Sequence, residues 1–181
     1  MKADTRRRNL RTALAEDVEI TIPDELGRSF RAHHALVFRT AYRITGNAAD
    51  AEDVLQTVFL RMLRRGSTAD TLENEEGYLR RAAINAALDV VRARQADRSV
   101  ELVDVSAGPP QGSAMELRQA LAKALAQLDP RRAEIFALRF LEGFENPEIA
   151  RLLGISQVLV AVLVHRTRQQ LRKELRRYLG R

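Results

Sequence analysis

Apolar residues recur every three or four positions along most of this chain, and that period is the signature of amphipathic helices. Leu26, Phe30, Val37, Ala41 and Ile44 mark a first helix, beginning at Glu25 and broken by Gly46. Asn47 is placed to cap a second, which runs to about Arg65 with Ala51, Leu55, Val58 and Met62 on its inner stripe. A third, from Tyr78 to about Arg94, turns Leu79, Ala83, Ala86 and Val90 inward. Leu117, Leu121, Ala124 and Leu128 mark a fourth; Asp129 ahead of Pro130 stops it and caps a fifth, which carries Ile135, Leu138 and Phe140. After Gly143 the pattern becomes a short helix, a glycine turn and a long helix. Asn146 is the expected N-cap and Pro147 the first-turn proline; Ile149 to Leu153 form the helix, Gly154 breaks it, and Ser156 caps the next. On that last helix Val160, Val164, Leu171, Leu175 and Tyr178 make the packing stripe. No segment alternates polar and apolar residues over a strand's length between turn signals, and the β-like run from Val158 to Val164 continues directly into the helix. The expected fold is therefore all-α.

Breaks in the pattern divide the chain. Residues 1–25 read as a mobile N-terminal arm, with Lys2, Arg6, Arg7, Arg8 and Arg11 followed by Glu16, Asp17 and Glu19. A first small helical domain is expected over 26–95, with a polar, acidic loop over 66–77 inside it. Gly108, Pro109, Pro110 and Gly112 mark a flexible linker over 96–114, and a second helical domain follows over 115–181. The polar faces have their own order. The second helix presents Asp50, Asp53, Thr57, Arg61 and Arg64, with Glu52 and Gln56 beside them; the third presents Arg81, Asn85, Asp89 and Arg92.

Charge changes this picture most. The 181 residues carry a formal +6, and from Arg151 onward eight basic residues stand against the single acid Glu174. That local surplus exceeds the excess of the whole chain, and its usual physical use is binding a polyanion. A helix-turn-helix at the basic end is the layout that places a second helix in the DNA major groove. Cysteine is absent, which excludes disulfides and thiolate metal sites and suits a reducing cytoplasm. The longest apolar run, seven residues, is far short of the ~20 that span a bilayer, and the first residues lack the apolar core of a signal peptide. The expected product is a soluble cytoplasmic protein with no membrane insertion.

Three stretches carry a more specific likeness. Tyr42 to Leu63 (YRITGNAADAEDVLQTVFLRML), Tyr78 to Arg94 (YLRRAAINAALDVVRAR) and Leu125 to Ser156 (LAQLDPRRAEIFALRFLEGFENPEIARLLGIS) resemble, in order, bacterial RNA polymerase sigma factors. They look like the small extracytoplasmic-function (group 4) members of the sigma-70 family, which keep only regions 2 and 4. The resemblance implies a transcription initiation factor, with no catalytic residue, metal or cofactor of its own. It implies that Asp50, Glu52, Asp53, Gln56, Thr57, Phe59 and Arg61 dock on core RNA polymerase, at the β′ clamp. It assigns Tyr78, Arg80, Arg81, Asn85, Asp89, Arg92 and Arg94 to capture of the melted −10 element. It assigns Ser156, Gln157, Leu159, Val162, Leu163, His165, Arg166 and Arg168 to the −35 element, in a domain that also meets the β flap. An anti-sigma factor or other regulator is the further partner implied.

Two features bear on rival functions. Val158, Leu159, Ala161, Val162 and Leu163 stand where the family usually has small, hydroxyl or basic residues, and apolar side chains touch thymine methyls but read no donors or acceptors. A sigma-like regulator whose C-terminal domain binds a protein is the alternative this supports. His33 and His34 sit in a helix, as a phospho-accepting histidine would, but no acid–base partner accompanies them, and a partly buried structural His34 is the plainer expectation.

Overall fold

A computed structural model of the chain describes residues 24–65, 74–100 and 114–176. Among the described residues there are seven α-helices and no strand: α1 (Asp24–Thr45), α2 (Ala48–Arg65), α3 (Glu75–Val100), α4 (Ala114–Ala126), α5 (Pro130–Phe140), α6 (Asn146–Leu153) and α7 (Gln157–Glu174). The expected N-terminal arm, most of the acidic loop with Asp70 and Glu73, residues 101–113 of the expected linker, and Tyr178 lie outside the described residues.

Local signals set most boundaries. Gly46, Gly143 and Gly154 all have positive φ, the conformation that ends a helix at little steric cost only for glycine. Asn47 accepts the Ala49 and Asp50 backbone N–H groups at 2.8 and 3.4 Å, and Asp129 accepts those of Arg131 and Arg132 at 3.0 and 3.4 Å. Two ends differ from expectation. Helix α6 is capped by Glu145, whose N–H donates to the Glu148 carboxylate at 2.7 Å, so Asn146 falls inside the first turn. Helix α3 starts before Tyr78, because Asn74 accepts the Gly77 N–H at 2.7 Å and Glu75 and Glu76 suit the positive end of the helix dipole. It also continues to Val100, so residues 96–100 are helix where linker was expected.

Helices α1, α2 and α3 pack on one another, and α4 to α7 form a second group. Helix α3 belongs to both, because its far side meets α4 and α5. That is why its burial is not a single stripe: Leu79, Ala83, Ile84, Ala86, Ala87, Leu88 and Val91 are all buried, while Val90 is only partly so. On α2, Val54 is in the core and Leu55 only flanks it. On α7 the stripe is Val160, Val164, Thr167, Leu171 and Leu175, with the Thr167 hydroxyl accepting from Arg132 Nε at 3.2 Å. A buried threonine with a partner replaces an expected gap in that stripe. Phe30 and Phe140, expected inside, are 42% and 45% exposed; Phe30 rests edge-on against Phe59 and stacks on His34, which is itself exposed. His34 is therefore a surface ring whose Nδ1 lies 3.1 Å from the Phe30 carbonyl, and His33 lies 3.5 Å from the Glu75 carboxylate. Among the described residues no single helix is long and apolar enough to cross a membrane.

Candidate nucleic-acid and polymerase interfaces

Three surfaces hold the residues singled out from the sequence. The first is the outer face of α2, where Glu52, Asp53 and Gln56 are exposed, Thr57 is half-buried, and Arg61 is exposed further along. Leu60, not singled out from the sequence, is 50% exposed one turn beyond Gln56. Its spacing of four and seven from Gln56 and Asp53 was the available signal. The face is thus an acidic and amide stripe with one apolar anchor, the composition that steers and then holds a basic helix. Two residues of the same set point inward. Phe59 is 7% exposed and packs on Phe30, and Asp50 is 7% exposed beneath α3. Arg94 Nη2 donates to Asp50 Oδ1 at 2.5 Å, with Nη1 beside the other oxygen. One residue expected at the polymerase and one expected at DNA are bound to each other.

The second surface follows α3. Tyr78, Arg81, Ala82 and Asn85 of α3 line a cleft of about 520 Å³ together with Val58, Arg61, Arg64 and Arg65 of α2. Four guanidiniums, a phenol and an amide around one cleft suit a phosphate and a stacked base, since cations hold the backbone and ring faces take bases without sequence preference. Arg65 donates to the Tyr78 hydroxyl at 2.7 Å and lies 5.5 Å from its ring centroid, which orients the phenol. Arg61, expected at the polymerase, also lines this cleft.

The donors of α3 also face the second helical group. Arg81 Nε donates to Glu134 at 2.8 Å, Asn85 donates to the same oxygen at 3.2 Å, and Arg81 also reaches the Leu152 carbonyl at 3.3 Å. Arg80 pairs with Glu76 at 2.6 Å and with Glu142, and its guanidinium lies 5.5 Å from the Phe144 ring centroid. The Arg80 hydrogen bond and charge hold the Glu76 carboxyl below its ordinary value. Arg92 donates to the Ala126 carbonyl at 3.3 Å and pairs at 3.3 Å with the exposed Asp89. Nothing in the local sequence marks Glu134 or Glu142, because the partners they meet on α1 and α3 lie 49 to 99 residues away.

The third surface is the outer face of α7. Helices α6 and α7 turn the chain by 111°, within the range of helix-turn-helix units. Ser156 Oγ accepts the Leu159 N–H at 3.2 Å and starts α7. Gln157, His165, Arg166 and Arg168 are exposed, His165 beside Gln169 at 2.9 Å. Val158, Leu159 and Val162 are 74%, 43% and 39% exposed, and Leu163 is half-buried. These three are not core. A Leu159→Gln/Val162→Gln chain is expected to melt within about 0.5 kcal/mol of the parent by thermal circular dichroism; a loss of several kcal/mol would return them to the core.

The family model described as Sigma-70 region 2 matches residues 29–97, and that described as Sigma-70, region 4 matches residues 118–171. The extracytoplasmic-function sigma factor SigE of Mycolicibacterium smegmatis is 35% identical over 156 residues, 82% of this chain and 60% of SigE. The corresponding factor SigL of Mycobacterium tuberculosis is 32% identical over 149 residues, 79% of this chain and 84% of SigL. In fold, the chain is similar to the sigma factor RpoE solved in complex with the anti-sigma factor NepR from Bartonella quintana. The TM-score is 0.53 at 20% identity, covering 84% of this chain and 98% of that one.

Proposed function

Because the chain belongs to the extracytoplasmic-function group of the sigma-70 family, we propose that it is a transcription initiation factor that joins core RNA polymerase and places it on promoters. The observation that carries this reading is the order of the two matched regions, 29–97 then 118–171, each bearing its own cationic or amide-rich surface. Helix α2 offers Glu52, Asp53, Gln56 and Leu60 to the β′ clamp. Helix α3 with the cleft takes the −10 strand once it is open. Arg81, Arg61, Arg64 and Arg65 hold phosphates, Asn85 reads a base edge with its paired donor and acceptor, and Tyr78 stacks. This offsets the stacking lost on melting through binding alone, with no covalent step. Helix α7 grips the −35 region through His165, Arg166 and Arg168, while Leu159 and Val162 can contact thymine methyls only, so specificity there is low.

The C-terminal domain also meets the β flap, and an anti-sigma factor is the fitting class of regulator, as in the Bartonella complex. Region 2 spans about 26–95 and region 4 about 115–181. The working compartment is the cytoplasm, where core polymerase is. The test is transcription in vitro with purified core polymerase, on templates with a −10 element and with or without a −35 element. The factor is expected to retain core polymerase on affinity capture, to start transcripts only from templates with the −10 element, and to gain less than about tenfold from the −35 element, since apolar contacts discriminate weakly. Failure to bind core polymerase at low salt would overturn the reading.

A further inference from the structure

The outer stripe of α7 changes character along its length. Val158, Val162, Arg166, Gln169 and Lys173 follow one another at three or four residues, so they project on one side of the helix, and all five are exposed. Leu159 is exposed beside Val162 and widens the apolar end. The other end is cationic: Arg166, Arg168, Arg172 and Lys173 are exposed, and among the described residues none of them is paired with an acid. Glu174, the one acid of this helix, accepts from Gln170 at 3.0 Å. From Val158 to Lys173 the ridge is about 22 Å long at the rise of an α-helix.

We propose that this ridge binds the surface of an anionic lipid bilayer, with Val158, Leu159 and Val162 at the boundary of headgroups and acyl chains and the four cations on lipid phosphates. The helix lies on the bilayer and does not cross it. Several partners carry negative charge over such a length, and the apolar end separates them. Duplex DNA satisfies the cations alone, because base edges find no donor or acceptor on valine and leucine, and a polar edge that loses water without a new partner is penalised. An acidic protein covers the apolar end only if it brings a complementary groove, since the face of a single helix is convex. A fluid bilayer deforms around a convex ridge and takes both ends in one contact, adding apolar burial to attraction for anionic headgroups. Four or more Lys and Arg on such a helix form the pattern that anionic lipids recognise. One consequence rests on the assignment of α7 to the −35 region: the same stripe serves both, so lipid and duplex exclude one another.

The test is co-sedimentation of the full chain with sucrose-loaded vesicles of phosphatidylglycerol and phosphatidylcholine, against vesicles of phosphatidylcholine alone. Binding is expected to be at least about tenfold tighter to the anionic vesicles. Val158→Gln/Leu159→Gln/Val162→Gln is expected to weaken it at least about tenfold while melting as the parent does. Undiminished binding by that chain would mean adsorption by charge alone and overturns the proposal, as does equal binding to the two kinds of vesicle. No binding to either overturns it too and leaves the face to an acidic protein. The chain has no tryptophan, so Val162→Trp reports the site directly, whether or not the triple variant folds. Its emission is expected to shift to the blue on anionic vesicles and to be quenched by brominated acyl chains; an unshifted emission overturns the proposal even where the chain sediments. Duplex carrying a −35 element is expected to release the chain from vesicles. If duplex joins the vesicles without releasing it, the lipid contact stands and the −35 assignment of α7 fails. If vesicles are not bound while transcription from a −10 template proceeds, the lipid proposal fails and the initiation-factor reading stands.

Discussion

An Arg81→Ala/Asn85→Ala chain is expected to lose about a hundredfold in transcription from a −10 promoter while still capturing core polymerase. One phosphate contact and one base contact are removed, each worth about 1–3 kcal/mol, and tenfold corresponds to about 1.4 kcal/mol. Both side chains also donate to the buried Glu134 carboxylate, so a thermal melt of the same chain is needed to separate lost DNA contacts from a loosened fold. Abortive initiation on a pre-melted template refines the result. If the deficit shrinks on a bubble template, the pair acts in capturing strands as they open; an undiminished deficit places it in binding the open strand. Full activity with both residues gone would remove α3 from the DNA path. The accompanying salt dependence is a useful check, because removing one phosphate contact lowers the slope of log affinity against log salt by about one.

The second large effect divides the α2 residues by what they touch. Phe59→Ala removes a buried ring from beneath Phe30, and such truncations cost about 3–5 kcal/mol. Its melting temperature is expected to fall by more than about 10 °C for a helical unit of this size. Asp50→Ala leaves Arg94 facing an emptied site, but the guanidinium is 45% exposed and rehydrates, so a loss of about 1–2 kcal/mol is expected. Glu52→Lys and Asp53→Lys, on the exposed side of the same helix, should melt as the parent does and lose at least about tenfold in affinity for core polymerase. Differential scanning calorimetry and a core-binding titration separate the classes. A Phe59→Ala chain that melts normally but fails to bind polymerase would make that ring a contact residue.

Helix number, order and most ends were legible from residues 24–176, because caps, glycine breaks and the three-to-four spacing act within a few residues of themselves. Asn47, Asp129, Ser156, Gly46, Gly143 and Gly154 all do in the structure what their chemistry implies. The family and its function were legible as well, since three motifs in order carry information that no single helix face does. Errors came where a residue's surroundings lie far along the chain. Phe140 has an apolar residue's spacing but rests against Phe136 of its own helix and stays 45% exposed, and Asn146 lost the cap to a carboxyl pair that starts one residue earlier.

The candidate sites show the same divide. Sequence placed Asp50 with Glu52 and Asp53 because they share a polar run, and the fold separates them by sinking Asp50 under Arg94. It placed Arg81, Asn85, Asp89 and Arg92 on one stripe of α3, and in the structure Arg81, Asn85 and Arg92 bond to the C-terminal helices while Asp89 stays exposed. What the sequence could not indicate is what they face. Helix formation and capping depend on the nearest neighbours in the chain, so a linear reading recovers them. The pairing of Arg81 with Glu134 across 53 residues, and of Arg80 with Glu142 across 62, depends on how α5 settles against α3. That settling is a balance of burial, charge and shape summed over both halves, and it decides what the polar face of α3 meets.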